Sequence, residues 1–202
     1  MSYMSVLQCR MADVGRWAET WNDWGRDFGL STGATRASLS QTIMGGDQAG
    51  LVTISFMFDS IDAAMSGVTA MNAEGRVREA FAEAGVQPVQ RSLLQIEQER
   101  GAGEGAFYTA LVLTGDAQTQ DDQAADIDRN FAILSKHGVN GMRLMRSIAG
   151  GAMTGAWLNV TYTDSVDTLM AGSREVFADP EMQASMAKSN LQLQSRSISR
   201  VL

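Results

Sequence analysis

The chain has 202 residues, 45% of them apolar and 19% charged, which suits one large or two small globular domains and excludes a disordered or fibrous chain. Lys and Arg number 16 against 23 Asp and Glu, a net charge of −7, so neither nucleic acid nor an anionic membrane surface is an expected partner. One cysteine, Cys9, and one histidine, His137, exclude an intrachain disulfide, a thiolate cluster and a multi-histidine metal site. No apolar run approaches the ~20 residues that span a bilayer. The start, Met-Ser-Tyr-Met-Ser-Val, lacks the basic-then-apolar pattern of a signal peptide, so a cytoplasmic location is expected.

Tyr3 to Arg10 reads as a strand. Asp13 opens a helix that carries Val14, Trp17, Trp21, Trp24 and Phe28 at spacings of 3, 4, 3 and 4, one apolar stripe. Gly29 and Gly33 end it. Ala34 to Met44 and Leu51 to Phe58 are strands joined by a Gly45-Gly46 to Gly50 turn, which reads as a hairpin. A helix follows from Ile61 to about Ala84, interrupted near Gly75, and Val89 to Glu97 closes the unit. The order then recurs: Phe107 to Leu113, a helix over Ala124 to His137 with a weaker stripe of Ala124, Ile127, Phe131 and Leu134, Val139 to Ile148, Ala156 to Tyr162, helices after Ser165 and Pro180, and Leu191 to Leu202.

The recurrence is visible residue by residue. Shifted by 105, the 25 positions from Ile43 to Gly67 hold nine identities without a gap, among them Gly45-Gly46 with Gly150-Gly151 and Asp59-Ser60 with Asp164-Ser165. Arg91-Ser92 likewise meets Arg196-Ser197. Such a repeat means two copies of one unit, here residues 1–100 and 106–202, with the Gly-rich segment 101–105 as connector. Each copy reads β-α-β-β-α-β, the ferredoxin-like plan. The fold class expected is α+β, with two antiparallel sheets packed face to face. The copies differ in polarity: Val52, Ile54, Phe56 and Phe58 share one strand face in the first, whereas Trp157, Asn159, Thr161 and Thr163 stand at the matched positions of the second.

The tandem plan, with a segment such as Ala178-Asp179-Pro180-Glu181-Met182-Gln183 ending the second helix of the unit, resembles the dimeric α+β barrel superfamily, which includes antibiotic-biosynthesis-type monooxygenases and NIPSNAP-like and EthD-like proteins. The resemblance implies an intrachain barrel-like pair of sheets and ligands held between helices and sheet. It transfers no activity, since members range from enzymes to binding modules. Haem-using relatives rely on a histidine in the later helix of the unit, and neither later helix here has one, so no haem or other cofactor is expected.

Most conspicuous residues have structural readings. Ser60 and Ser165, with the aspartates around them, read as helix caps rather than an acid–base pair. Gly45-Gly46 and Gly150-Gly151 join strand to strand, unlike phosphate loops. The Trp stripe reads as core, as do the 13 methionines. His137 suits a helix end. Asn159, Trp157 and Thr161, with the recurring Arg91 and Arg196, remain as ligand-binding candidates; no catalytic or metal-binding residue is assigned. A ligand is expected in the second copy, between its first helix and the sheet, where residues are smaller and more polar. The leading expectation is a non-catalytic protein that binds or interacts with a small apolar molecule. A cofactor-free monooxygenase or related enzyme acting on a small aromatic substrate, and a structural or assembly protein, stay open beside it. The expected state is a monomer with pseudo-dimeric halves, or a homodimer.

Overall fold

The computed structural model describes residues 1–202. By internal contacts they divide into one unit of Met1–Gln95 with Ile148–Thr154 and Val201–Leu202, and a second of Ile96–Ser147 with Gly155–Arg200. The division falls inside a strand, ahead of the connector at 101–105.

In the first unit β1 (Ser2–Arg10) leads into α1 (Val14–Thr20), a π-helical turn at Trp21–Gly25, and α2 (Arg26–Ser31). Then come β2 (Arg36–Met44), β3 (Val52–Phe58), α3 (Ile61–Ala73), α4 (Gly75–Glu83) and β4 (Gln87–Gly101). In the second, β5 (Phe107–Thr114), α5 (Gln120–Ser135), β6 (Val139–Ala149), β7 (Trp157–Thr163), α6 (Val166–Ala178), α7 (Pro180–Lys188) and β8 (Gln192–Val201) repeat the order. Hydrogen-bonded neighbours run β4-β1-β3-β2 and β8-β5-β7-β6, the same arrangement twice. The chain is thus α+β with ferredoxin-like repeats. No helix is long and apolar enough to cross a membrane.

The repeat extends to backbone devices. Gly46 and Gly50 have φ of 60° and 84°, and their counterparts Gly151 and Gly155 have 60° and 88°, left-handed values that glycine adopts without steric cost. Ser60 accepts from the Ala63 amide at 3.1 Å and Ser165 from Thr168 at 3.4 Å, so both are N-caps as expected. Glu74 and Asp179, again 105 apart, each end one helix and cap the next: Glu74 accepts from Arg76 N and Asp179 from Met182 N.

The first helix is not the uniform α-helix its stripe predicts. The Arg26 amide reaches back to the Trp21 carbonyl, a wider turn. Gly29 lies so close to β3 that a Cβ there would strike the Phe56 ring. Trp17, Trp21, Ile54 and Phe56 join Leu7, Leu39, Val52 and Phe58 in one buried core. The corresponding layer of the second unit is smaller: Ile127, Leu134, Val139, Met142 and Leu169, with Phe131, Leu144, Met170 and Val176 packed against them.

A buried ion pair lies within the second unit. Arg143 donates from Nε to Glu99 at 2.8 Å and from Nη1 to the Tyr162 hydroxyl at 2.9 Å. Burial, the first cause, pushes the Tyr162 phenol up from its ordinary value.

Candidate functional site

Asn159 sits in the middle of β7, opposite Leu111 of β5 on one side and Leu144 of β6 on the other. Leu111 in turn pairs with Arg196 of β8. Leu144, Asn159, Leu111 and Arg196 therefore form one row across four strands, and all four line a cleft under α5. Thr109 and Thr161 add hydroxyls to its floor. From α5 come Gln123, Asp126, Ile127, Asn130 and Leu134, and from α6 and α7 Leu169, Phe177, Met182 and Met186. The cleft volume is about 90 Å³, room for roughly six to nine waters at ~10–15 Å³ each.

Its polar groups are unevenly satisfied. Asp126 accepts from Gln118 at 2.9 Å and from Ser185 at 2.5 Å through one carboxylate oxygen. Arg196 donates to the Ser173 hydroxyl at 2.7 Å and to the Met170 thioether at 3.1 Å, both uncharged. Burial lowers its pKa. Gln123 Oε1, Asn130 Oδ1, Asn159 Oδ1 and Arg196 Nε are buried with no hydrogen-bond partner, four of only six such atoms in the protein. An orphan of this kind costs about 1–3 kcal/mol, and protein interiors otherwise keep such groups paired. Their convergence on one cleft, among mostly apolar walls, has the makeup of a small-molecule site. α7 closes one side and is tied to α5 by Arg129 with Asp179 (3.6 Å) and Glu181, and by Lys188 with Asp122 (3.1 Å).

Of the sequence candidates, the structure brings Asn159, Thr161 and Arg196 together here. Trp157 is buried outside the cleft lining, with the Arg146 guanidinium 5.1 Å from its ring. Arg91 belongs instead to a cleft of the first unit, of about 50 Å³, beneath the Trp-bearing helix. The Trp stripe, which reads as core, thus also lines an open cleft. Sequence reasoning missed Gln123, Asp126 and Asn130. With the 105-residue register Asp126 and Asn130 stand where Trp21 and Gly25 do, so a comparison of the two first helices points to them.

The donor set does not fit a histidine-ligated haem. The later helices α3, α4, α6 and α7 contain no histidine. His137 lies beyond the end of α5, 2.8 Å from Glu175, and packs over Gly172. No group of three or more His, Cys, Asp or Glu side chains is placed to hold a metal ion.

No family model and no curated protein matches the sequence. Solved structures do match in fold. A chlorite dismutase variant from Candidatus Nitrospira defluvii superposes with a TM-score of 0.59 at 10% identity, over 100% of this chain and 91% of that one. An anthrone oxidase-like protein gives 0.55 at 11% identity, covering 98% and 93%. A candidate monooxygenase from Fusobacterium nucleatum gives 0.54 at 8%, covering 100% and 92%. Strand order and these likenesses agree: the chain has the α+β fold of these structures, with both ferredoxin-like repeats in one polypeptide.

Proposed function

We propose that this protein binds a small, largely apolar molecule carrying hydroxyl groups, in the helix–sheet cleft of the second unit. The convergence of four buried, unpartnered polar atoms on that cleft carries the reading. Three are amide oxygens, which call for donors on the ligand, and the fourth is the Arg196 N–H, which calls for an acceptor. A phenol or polyol on an aromatic body supplies both. Isothermal titration with 1,3-dihydroxynaphthalene and with its dimethyl ether tests this. The diol is expected to bind at least tenfold more tightly, since the ether has no hydrogen to offer, and Asn130→Leu to erase the difference. Equal affinities in the wild type, or no binding of the diol, would overturn it.

Asp126 favours a second reading, in which the bound molecule is also turned over. A carboxylate in the cleft can take a phenolic proton, and dioxygen, as the oxidant, would then place one oxygen atom on a ring carbon in place of its hydrogen, the other oxygen leaving as water with two substrate hydrogens and the phenol becoming a quinone. Dioxygen uptake above a protein-free blank, abolished by Asp126→Asn, is the outcome this reading requires.

A further inference from the structure

We infer that the first unit carries a second, separate ligand site, in the cleft beneath α1 and α2, for a one- or two-ring aromatic carboxylate. The walls are aromatic: Trp17 meets Phe81 edge-on at 4.9 Å, Trp21 meets Phe56 at 5.6 Å, and Trp24 lies beside Phe28 at 6.2 Å. All six rings line the cleft, and such faces and edges suit a flat ring. The Trp17 indole is only 3% exposed, yet its N–H has no acceptor. At the mouth stands Arg91, whose one bond here is a long contact of 3.4 Å to the Asn72 oxygen. Burial lowers the Arg91 pKa, as it does for Arg196. Both groups are donors and one is a cation, so the missing partner is an acceptor with negative charge.

The backbone points the same way. The π-helical turn at Trp21–Gly25 sacrifices regular hydrogen-bond geometry, and such turns favour functional sites. Trp21 and Gly25, which bound it, both line the cleft, as does Gly29. A side chain at Gly25 would meet the Thr20 carbonyl at 3.3 Å, and one at Gly29 would strike Phe56. Glycine at the second of these positions is therefore what lets the helix lie close against β3 at the edge of the cleft. Arg91 and Arg196 occupy matched positions of the repeat, so the two units hold the same cation over clefts of opposite character. The second presents mainly unpartnered acceptors, and the first the unpartnered Trp17 N–H together with Arg91.

The test uses the full chain labelled with 5-fluorotryptophan, whose four fluorine resonances are assigned by single Trp→Phe changes. Titration with naphthalene-2-carboxylate is expected to shift Trp17, Trp21 and Trp24 and to leave Trp157 unmoved. Naphthalene-2-carboxamide should bind about tenfold more weakly. Arg91→Met, which keeps the aliphatic stem over the cleft, should weaken the carboxylate about tenfold or more, with partial rescue in Arg91→Lys. Asn130→Leu, in the other cleft, should leave the affinity unchanged. Unchanged affinity in Arg91→Met, shifts confined to Trp157, or no shifts at all would overturn the proposal.

Discussion

Replacing Asn130 by leucine is expected to stabilise the protein while removing a binding contact. Asn130 is nine-tenths buried on α5, and its side-chain oxygen has no partner. Relieving one orphan acceptor is worth about 1–3 kcal/mol, and leucine adds a few tenths through helix propensity. The added methyl groups lie beside Ile127 and Leu134 on the same face of α5, over a cleft with room to receive them. A gain of about 1 kcal/mol raises the Tm of a chain this long by roughly 2–4 °C. Asn140→Leu is the matched control. Its amide donates to the Glu104 carbonyl at 3.2 Å and to Asp164 at 3.0 Å, so its loss should lower stability. Urea midpoints followed by circular dichroism measure both, at constant slope. An Asn130→Leu protein less stable than the wild type would refute the reasoning, because it would mean that the oxygen is satisfied in solution without a ligand.

Further outcomes follow from other sites. Arg143→Met should cost about 3 kcal/mol by urea denaturation, toward the low end for breaking a buried pair because Glu99 keeps some access to water. Gly141→Ala should destabilise strongly, since its Cβ would run into the Ala102 carbonyl, whereas Gly75→Ala, with open space at the start of α4, should gain up to about 1 kcal/mol; thermal melts of the two should move in opposite directions. Cys9 is fully buried and desolvation pushes its thiol up to about 11, so it should resist a thiol reagent at pH 8 until the chain unfolds. The stability it contributes is complete below the unfolded value of ~8.5 and is lost as pH rises through about 11. The Asn140 amide, and then the Ala106 N–H, hold the Asp164 carboxyl below its usual range. Its contribution is therefore present above the unfolded value of ~3.9 and lost as pH falls through the folded one, and Asp164→Asn should flatten the urea midpoint against pH below about 4.

Much of this architecture was legible because duplication printed it twice. The glycines of the two hairpins, the Ser60 and Ser165 caps and the break near Gly75 are local signals, and each structure element they mark lies within a few residues of its expected position. The facing of β7 was legible too, since strict alternation puts Asn159 and Thr161 on one side. The stripe on α5 was not. Ala124, Ile127, Phe131 and Leu134 were expected to face the sheet, but the buried set includes Gln123 and Asn130. Hydrophobic periodicity cannot find a buried face whose own residues are polar. The π-helical turn escapes for a related reason: a spacing of 3 and 4 is blind to one wide turn.

The single extended residue between α6 and α7 has a kinetic consequence. Asp179 ends one hydrogen-bond ladder and begins another, so α7 can detach without unravelling α6, at the expense of its own contacts alone. It would carry Met182, Ser185 and Met186 away from the cleft, breaking the Ser185–Asp126 hydrogen bond, and the other ties that hold it to α5 are ion pairs with exposed partners, weak and screened by salt. Amide exchange over 180–188 should then outpace that of α6, quicken as ionic strength rises, and slow when the cleft is filled. On this account the rate at which molecules enter and leave the second unit is set at its rim, by nine residues of helix and three salt-sensitive latches.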